Sequence, residues 1–223
     1  FQIDLNTSFT GEDSLDISLD AGNSGIAGIS EFDGNTLGDG LRVDGVSYTF
    51  PVGDKTTVFV GDNTNGDTLY STACVYGGPS NTLDDCGNAS SALGSGQGTA
   101  AGASYDFGNG FTGAVGYTGD GSTAASGLMT AEGFDAAGLQ LAYAADSYGV
   151  SVSYAGIESA EDTTYWGLNG YWTPSETGSV PSVSVGYEFG SPENGNPDTS
   201  HYFVGLQWDE VGPGTFGTAL GTK

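Results

Sequence analysis

Apolar and polar residues exchange places at every second position in stretches of about ten residues, and no other feature of this chain narrows its fold as far. Phe1, Ile3, Leu5 and Phe9 alternate with Gln2, Asp4 and Ser8, and Leu15, Ile17 and Leu19 alternate with Asp16, Ser18 and Asp20. Side chains of a strand point to opposite faces in turn, so each stretch reads as a strand with one greasy and one wet face. The connections run short, long, short, long. Gly11-Glu12-Asp13, Pro51-Val52-Gly53-Asp54, Gly108-Asn109-Gly110 and Asp146-Ser147 are turn-forming, whereas 22–40 and 62–98 are long and rich in Gly, Asn and Ser. A closed sheet is the only strand arrangement that leaves no unpaired backbone group in hydrocarbon. The pattern therefore predicts an all-β fold, a transmembrane antiparallel up-and-down β-barrel with periplasmic short turns and extracellular long ones. About 12 strands fall in this chain, of about 16 in a complete barrel.

Residues 1–223 read as a single barrel domain. Phe1-Gln2-Ile3 starts in mid-strand and Ala219–Lys223 carries no terminal aromatic residue, so N- and C-terminal parts are expected to be missing. Within the third strand the alternation changes parity near Asp44 and Gly45, which predicts a bulge. Tyr105, Phe107, Tyr117, Tyr143, Tyr154, Trp172, Phe189 and Trp208 cluster at predicted strand ends, where aromatic girdles meet lipid headgroups. A soluble β-sandwich also alternates. It does not require sustained short and long connections or aromatic belts.

Charge excludes several functions. Against 28 acidic residues stand 3 basic ones, a net charge of −25, which leaves little with which to displace counterions from nucleic acid. No apolar run is long enough for a transmembrane helix. Enzyme chemistry has little to work with. His201 is the single histidine, predicted on the polar face of its strand, and no G-x-S-x-G elbow accompanies it. Gly108, Gly110 and Gly113 match a dinucleotide fingerprint but lead into a strand instead of a helix.

The acidic residues are the stronger candidates. Spacing puts Asp4, Asp16, Asp20, Asp106 and Glu188 on polar faces together with Arg42, and these are the candidate pore-lining residues. Arg42 is expected to oppose acids across the lumen. A low-dielectric wall carrying one sign of charge concentrates counter-ions, so cation selectivity is expected. Asp62, Asp67, Asp84 and Asp85 crowd the long connection and are candidates for a constriction. Cys74 and Cys86 lie in the same segment, and a disulfide is the default in a cell-surface compartment. No resident cofactor or metal is expected: a zinc site lacks two further ligands, and Asp62–Asp67 lacks the glycine and closing Glu of a calcium loop. Surface-bound Ca²⁺ or Mg²⁺ on loop acids remains open, and with it the alternative of a calcium-binding structural or adhesive surface protein.

The stretch Leu5-Asn6-Thr7-Ser8-Phe9-Thr10-Gly11-Glu12-Asp13, with the alternating strand that follows it up to Asn23, resembles the start of the barrel in cyanobacterial porins. These belong to the broad family related to carbohydrate-selective porins. Tyr165–Pro174 and Gly212-Pro213-Gly214-Thr215-Phe216-Gly217 resemble the same family. The resemblance implies an outer-membrane pore for ions and small hydrophilic solutes, in contact with outer-membrane lipid and lipopolysaccharide. It also implies a trimer in a Gram-negative-type cell, with no catalytic residues.

Overall fold

The computed structural model describes residues 2–22, 40–77, 84–93, 98–120, 128–130, 133–159, 162–176, 178–193 and 195–222. Twelve strands follow one another: β1 Gln2–Thr7, β2 Ser14–Asp20, β3 Arg42–Val52, β4 Thr56–Thr64, β5 Gly98–Gly108, β6 Phe111–Asp120, β7 Phe134–Ala144, β8 Tyr148–Glu158, β9 Thr163–Trp172, β10 Ser182–Pro192, β11 Thr199–Val211 and β12 Gly214–Gly221. Each pairs antiparallel with the next, giving one 12-stranded sheet in sequence order with β1 and β12 at its edges. The single helical element described is a 3-10 turn over Asp84–Gly87.

Exposure separates the two faces of the sheet. On one face Val115, Leu139, Val150 and Leu168 are 50–60% exposed, whereas on the other Ser153, Asn169 and Ser184 are at most 3% exposed. An apolar surface so open, with polar residues covered behind it, is the reverse of a soluble sandwich and fits a wall that faces lipid. Aromatic pairs mark both ends of the apolar face. Tyr105–Phe107, Phe111–Tyr143, Tyr143–Tyr148 and Trp208–Phe216 lie at the short-turn end and Tyr154–Trp166 at the other.

Several local expectations need correction. Pro51 and Val52 are strand residues, not turn; the last β2 partner of β3 is Thr49, so the missing amide of Pro51 costs no ladder bond on that side. β4 runs past Asp62 to Thr64, which pairs with Gly98 across an irregularity. The connection rhythm fails late in the chain: 159–162 and 193–198 are brief, while 173–181 on the opposite end is longer than either. The bulge in β3 is present, since the register with β2 steps from Ser18–Gly45 to Leu19–Val43 and skips Asp44. A matching irregularity sits beside it in β4, where Asn63 takes positive φ and its amide donates to the Asp44 carbonyl.

Candidate functional site

The connection 65–97 is the feature around which everything else is arranged, because its described residues fold back over the polar face of the sheet. Its outgoing limb crosses strand after strand, each time with a backbone amide donating to an inward side chain. Gly66 donates to Thr118 Oγ1 on β6 at 2.6 Å, Ser71 to Gln140 Oε1 on β7 at 2.5 Å, and Ala73 to Ser151 Oγ on β8 at 2.9 Å. Val75 then donates to Ser184 Oγ on β10 at 3.0 Å and Gly77 to Gln207 Oε1 on β11 at 2.8 Å. An irregular segment buried against a wall must satisfy its amides somewhere. Here the wall supplies the acceptors in register with the strap.

The returning limb starts at the 3-10 turn, which lies beside β10 and β11. Asn169 Nδ2 donates to the Cys86 carbonyl at 3.3 Å, the Asn88 and Asn169 amides pair, and the Ser91 amide donates to Glu188 Oε2 at 2.7 Å. Leu93 then packs with Ala136 and Ala155 in a small core joined by Tyr70 and Ile157. Cys74 and Cys86 form a disulfide that ties the two limbs together.

Small residues on the wall make room for this strap. A Cβ on Gly116 would strike the Gly66 carbonyl, one on Gly167 the Ser91 hydroxyl, and one on Gly186 the Cys86 carbonyl. A Cβ on Gly138 would meet Tyr70 Oη at 2.8 Å and one on Gly205 would meet the Tyr76 ring at 2.8 Å. The named strap contacts therefore fall on β6–β11, and among the described residues the polar face of β1–β3 carries none of them.

That uncovered wall is acidic. Asp4 faces Ser18 in the ladder, Asp16 lies between Asn6 and Ser47, and Asp20 lies between Gln2 and Arg42, so all of them share the face on which the strap lies, Asp4 and Asp16 open and Asp20 buried at 5% exposure. Ser18 Oγ donates to Asp4 Oδ1 and Ser14 Oγ to Asp16 Oδ2, each at 2.7 Å, and the Asn6 amide also reaches Asp16. Hydroxyl and amide donors fix these carboxylates without cancelling their charge. Asp16, Asp44 and Asn63 line a niche of about 180 Å³ beside the double irregularity in β3 and β4.

The other sequence candidates are scattered. Asp106 shares the inward face but sits next to the short β5–β6 turn, accepting from the Gly108 amide at 2.7 Å. Glu188 faces inward and is 2% exposed, because the returning limb of the strap covers it. His201 is its cross-strand partner on β11. Arg42 is the ladder partner of Asp20 on the same wall, so an acid stands directly beside it. Asp62 belongs to β4, not to the loop, and accepts from Thr99 Oγ1 at 3.1 Å. Asp67 lies in the first turn of the strap, and Asp84 and Asp85 lie in the 3-10 turn at its far end, so the constriction candidates are not brought together.

Spacing alone does not single out one further acid. Asp13 is buried in the β1–β2 turn and gathers Thr10 Oγ1 at 2.6 Å, Ser8 Oγ and the Thr10 amide at 2.7 Å, and Tyr48 Oη at 2.7 Å. These donors, the Thr10 hydroxyl first, hold its carboxyl well below the usual carboxylate range despite the opposing effect of burial. Its signal was there to read, an Asp closing a Ser-Phe-Thr-Gly turn, but the partner Tyr48 lies far along the chain.

A sequential antiparallel sheet, apolar outside, polar and strapped inside, is the wall of an outer-membrane-type β-barrel. Comparison with solved structures agrees. The chain is similar to an anion-selective porin from Comamonas acidovorans, with a TM-score of 0.60 and 15% identity over 97% of this chain. The likeness shows the fold, and the chain spans 65% of that protein's length. No protein-family model matches the chain, and no curated relative does.

Proposed function

We propose that this chain builds most of the wall of a water-filled outer-membrane channel for the passive diffusion of inorganic ions and small hydrophilic solutes, and that the channel prefers cations. The observation that carries the reading is the asymmetry of the polar face. The strap occupies the β6–β11 side, while Asp4 and Asp16 line the β1–β3 side that it leaves open, with Asp44 in the niche beside Asp16. Ions pass where the strap is not, along a carboxylate wall set in low dielectric, where the potential reaches several kT and favours cations.

The solved porin it resembles is named for anion selectivity, the opposite preference. Fold does not fix selectivity; the sign of wall charge does. Residence in the outer membrane and assembly as a homotrimer belong to the same proposal, supported by the exposed apolar belt and the porin likeness. Swelling of liposomes carrying the intact protein, in sugars of increasing size, tests the pore itself. Swelling that falls off with solute size supports it, and impermeability of a correctly folded barrel overturns it.

A further inference from the structure

On the outward face near the short-turn end, Gly113 of β6 stands in the ladder between Tyr105 of β5 and Leu141 of β7. A position without a side chain, flanked across the sheet by two large ones, leaves a dip in the wall. The dip opens into a groove of about 380 Å³ walled by Tyr105, Phe107, Val115, Leu139 and Leu141, all of them exposed. Along β5 the groove reaches from Ala103 to Phe107, a rise of about 13 Å. That is about half of an apolar band of about 25 Å, the share of a single leaflet. It stops at the aromatic pair Tyr105–Phe107, at the level of the headgroups.

The head of the groove is charged. Thr56, which also lines it, pairs with Tyr105 and directly follows Lys55. The Lys55 carbonyl accepts the Asp106 amide at 2.9 Å, which holds this turn against the groove. Of the three basic residues in the chain, Arg42 opens β3 at the opposite end and Lys223 lies outside the described residues. Lys55 is therefore the one basic residue at this end among the described residues, and it and its neighbour Asp54 are both exposed. Asp106, the other acid nearby, already accepts the Gly108 amide at 2.7 Å. An ammonium on a long apolar stem, set beside an apolar groove, suits a phosphate at the membrane surface, and the carboxylate next to it suits an amine.

We propose that the groove holds an acyl chain of a phospholipid with a zwitterionic, amine-bearing headgroup, its phosphate on the Lys55 ammonium and its amine against Asp54. A second copy of this chain would seat on the apolar band as a whole, whereas this groove ends with one leaflet and at the one basic turn. The assignment rests on the wall standing in a bilayer, as proposed for the channel, and not on conduction or ion preference.

The test is native mass spectrometry of the intact protein, released from detergent after titration with an ethanolamine-headed phospholipid and, in parallel, with an anionic glycerol-headed one. Saturable retention of the ethanolamine-headed lipid, with weaker retention of the other, is expected. Lys55→Gln removes a charge-assisted contact and should weaken that retention about tenfold. Gly113→Leu fills the groove and should weaken it too, while Gly170→Leu, on the outward face of β9 between Val150 and Val185, leaves it unchanged. Heat-modified gel mobility confirms that each variant is folded, and Lys55→Gln, confined to an exposed turn, guards against a folding artefact at Gly113. Retention that is unsaturable, equal for the two headgroups, or unchanged in folded Lys55→Gln overturns the site. A changed oligomer mass for Gly113→Leu in the same spectra gives the groove to a second copy and overturns it as well. Flotation of the protein with liposomes tests bilayer residence separately, so protein that floats yet shows no headgroup-selective retention overturns the groove alone.

Discussion

Removing the carboxyl group of Glu188 should release the returning limb of the strap while leaving the wall standing. Glu188 is 2% exposed and accepts the Ser91 amide at 2.7 Å, and the nearby Ser91 and Ser153 hydroxyls meet at 3.2 Å. In Glu188→Ala the Ser91 amide is left buried without an acceptor, at a cost of about 1–3 kcal/mol. At about 1.4 kcal/mol per decade, local opening of this limb rises roughly 5- to 150-fold. Hydrogen exchange followed by mass spectrometry on residues 86–93 reads that opening directly, with the β7 and β8 ladders as internal reference. Glu188→Gln keeps an acceptor in place and should stay near the native rate. Unchanged protection of 86–93 in Glu188→Ala, or equal loss across β7 and β8, would refute the claim that this carboxyl group pins the strap.

Three further outcomes follow from the same structure. Replacing Cys74 and Cys86 with serine frees a closure between cysteines 12 positions apart, which the chain-entropy model values at about 3 kcal/mol. Calorimetry should show a lower melting temperature, yet the strap should stay docked, because each limb has its own bonds to the wall. At Asp13 the folded-state pKa is depressed, so its stabilising contribution is full above the ordinary carboxylate value of about 3.9 and is lost as pH falls below it. The β1–β2 hairpin should therefore loosen in acid, seen as Tyr48 fluorescence or hydrogen exchange, and Asp13→Asn should remove that pH dependence. Leu139→Arg on the apolar face should destabilise the folded protein in bilayers by about 2–4 kcal/mol, whereas Ser18→Arg on the polar face should be tolerated, both read by urea titration. Equal effects at the two positions would contradict the assignment of faces.

Much of the wall was legible because period-two alternation is a local property. The hairpin at Asn109-Gly110, the bulge at Asp44 and the inward parity of Asp4, Asp16 and Asp20 all follow from residues close in sequence. The strap was not legible, since nothing in 65–97 repeats and its anchors are single polar residues on five strands, from Thr118 to Gln207. Alternation places Glu188 inward, but it cannot tell a wetted carboxylate from one roofed by another segment. The same holds for glycine: Gly116, Gly138, Gly167 and Gly186 look like ordinary members of a glycine-rich chain until the strap lies against them. The pattern alone puts Asp62 in the connection, whereas the ladder continues past it across an irregularity that breaks the alternation.

The central claim, an acidic aqueous path beside the strap, meets its most direct test in the reversal potential of the intact protein in planar bilayers under a KCl gradient. The account predicts stepwise conductance with a cation-selective potential that survives chelation and moves toward zero when Asp4 and Asp16 are changed together to Asn. An anion-selective potential, or one indifferent to those two substitutions, would contradict it.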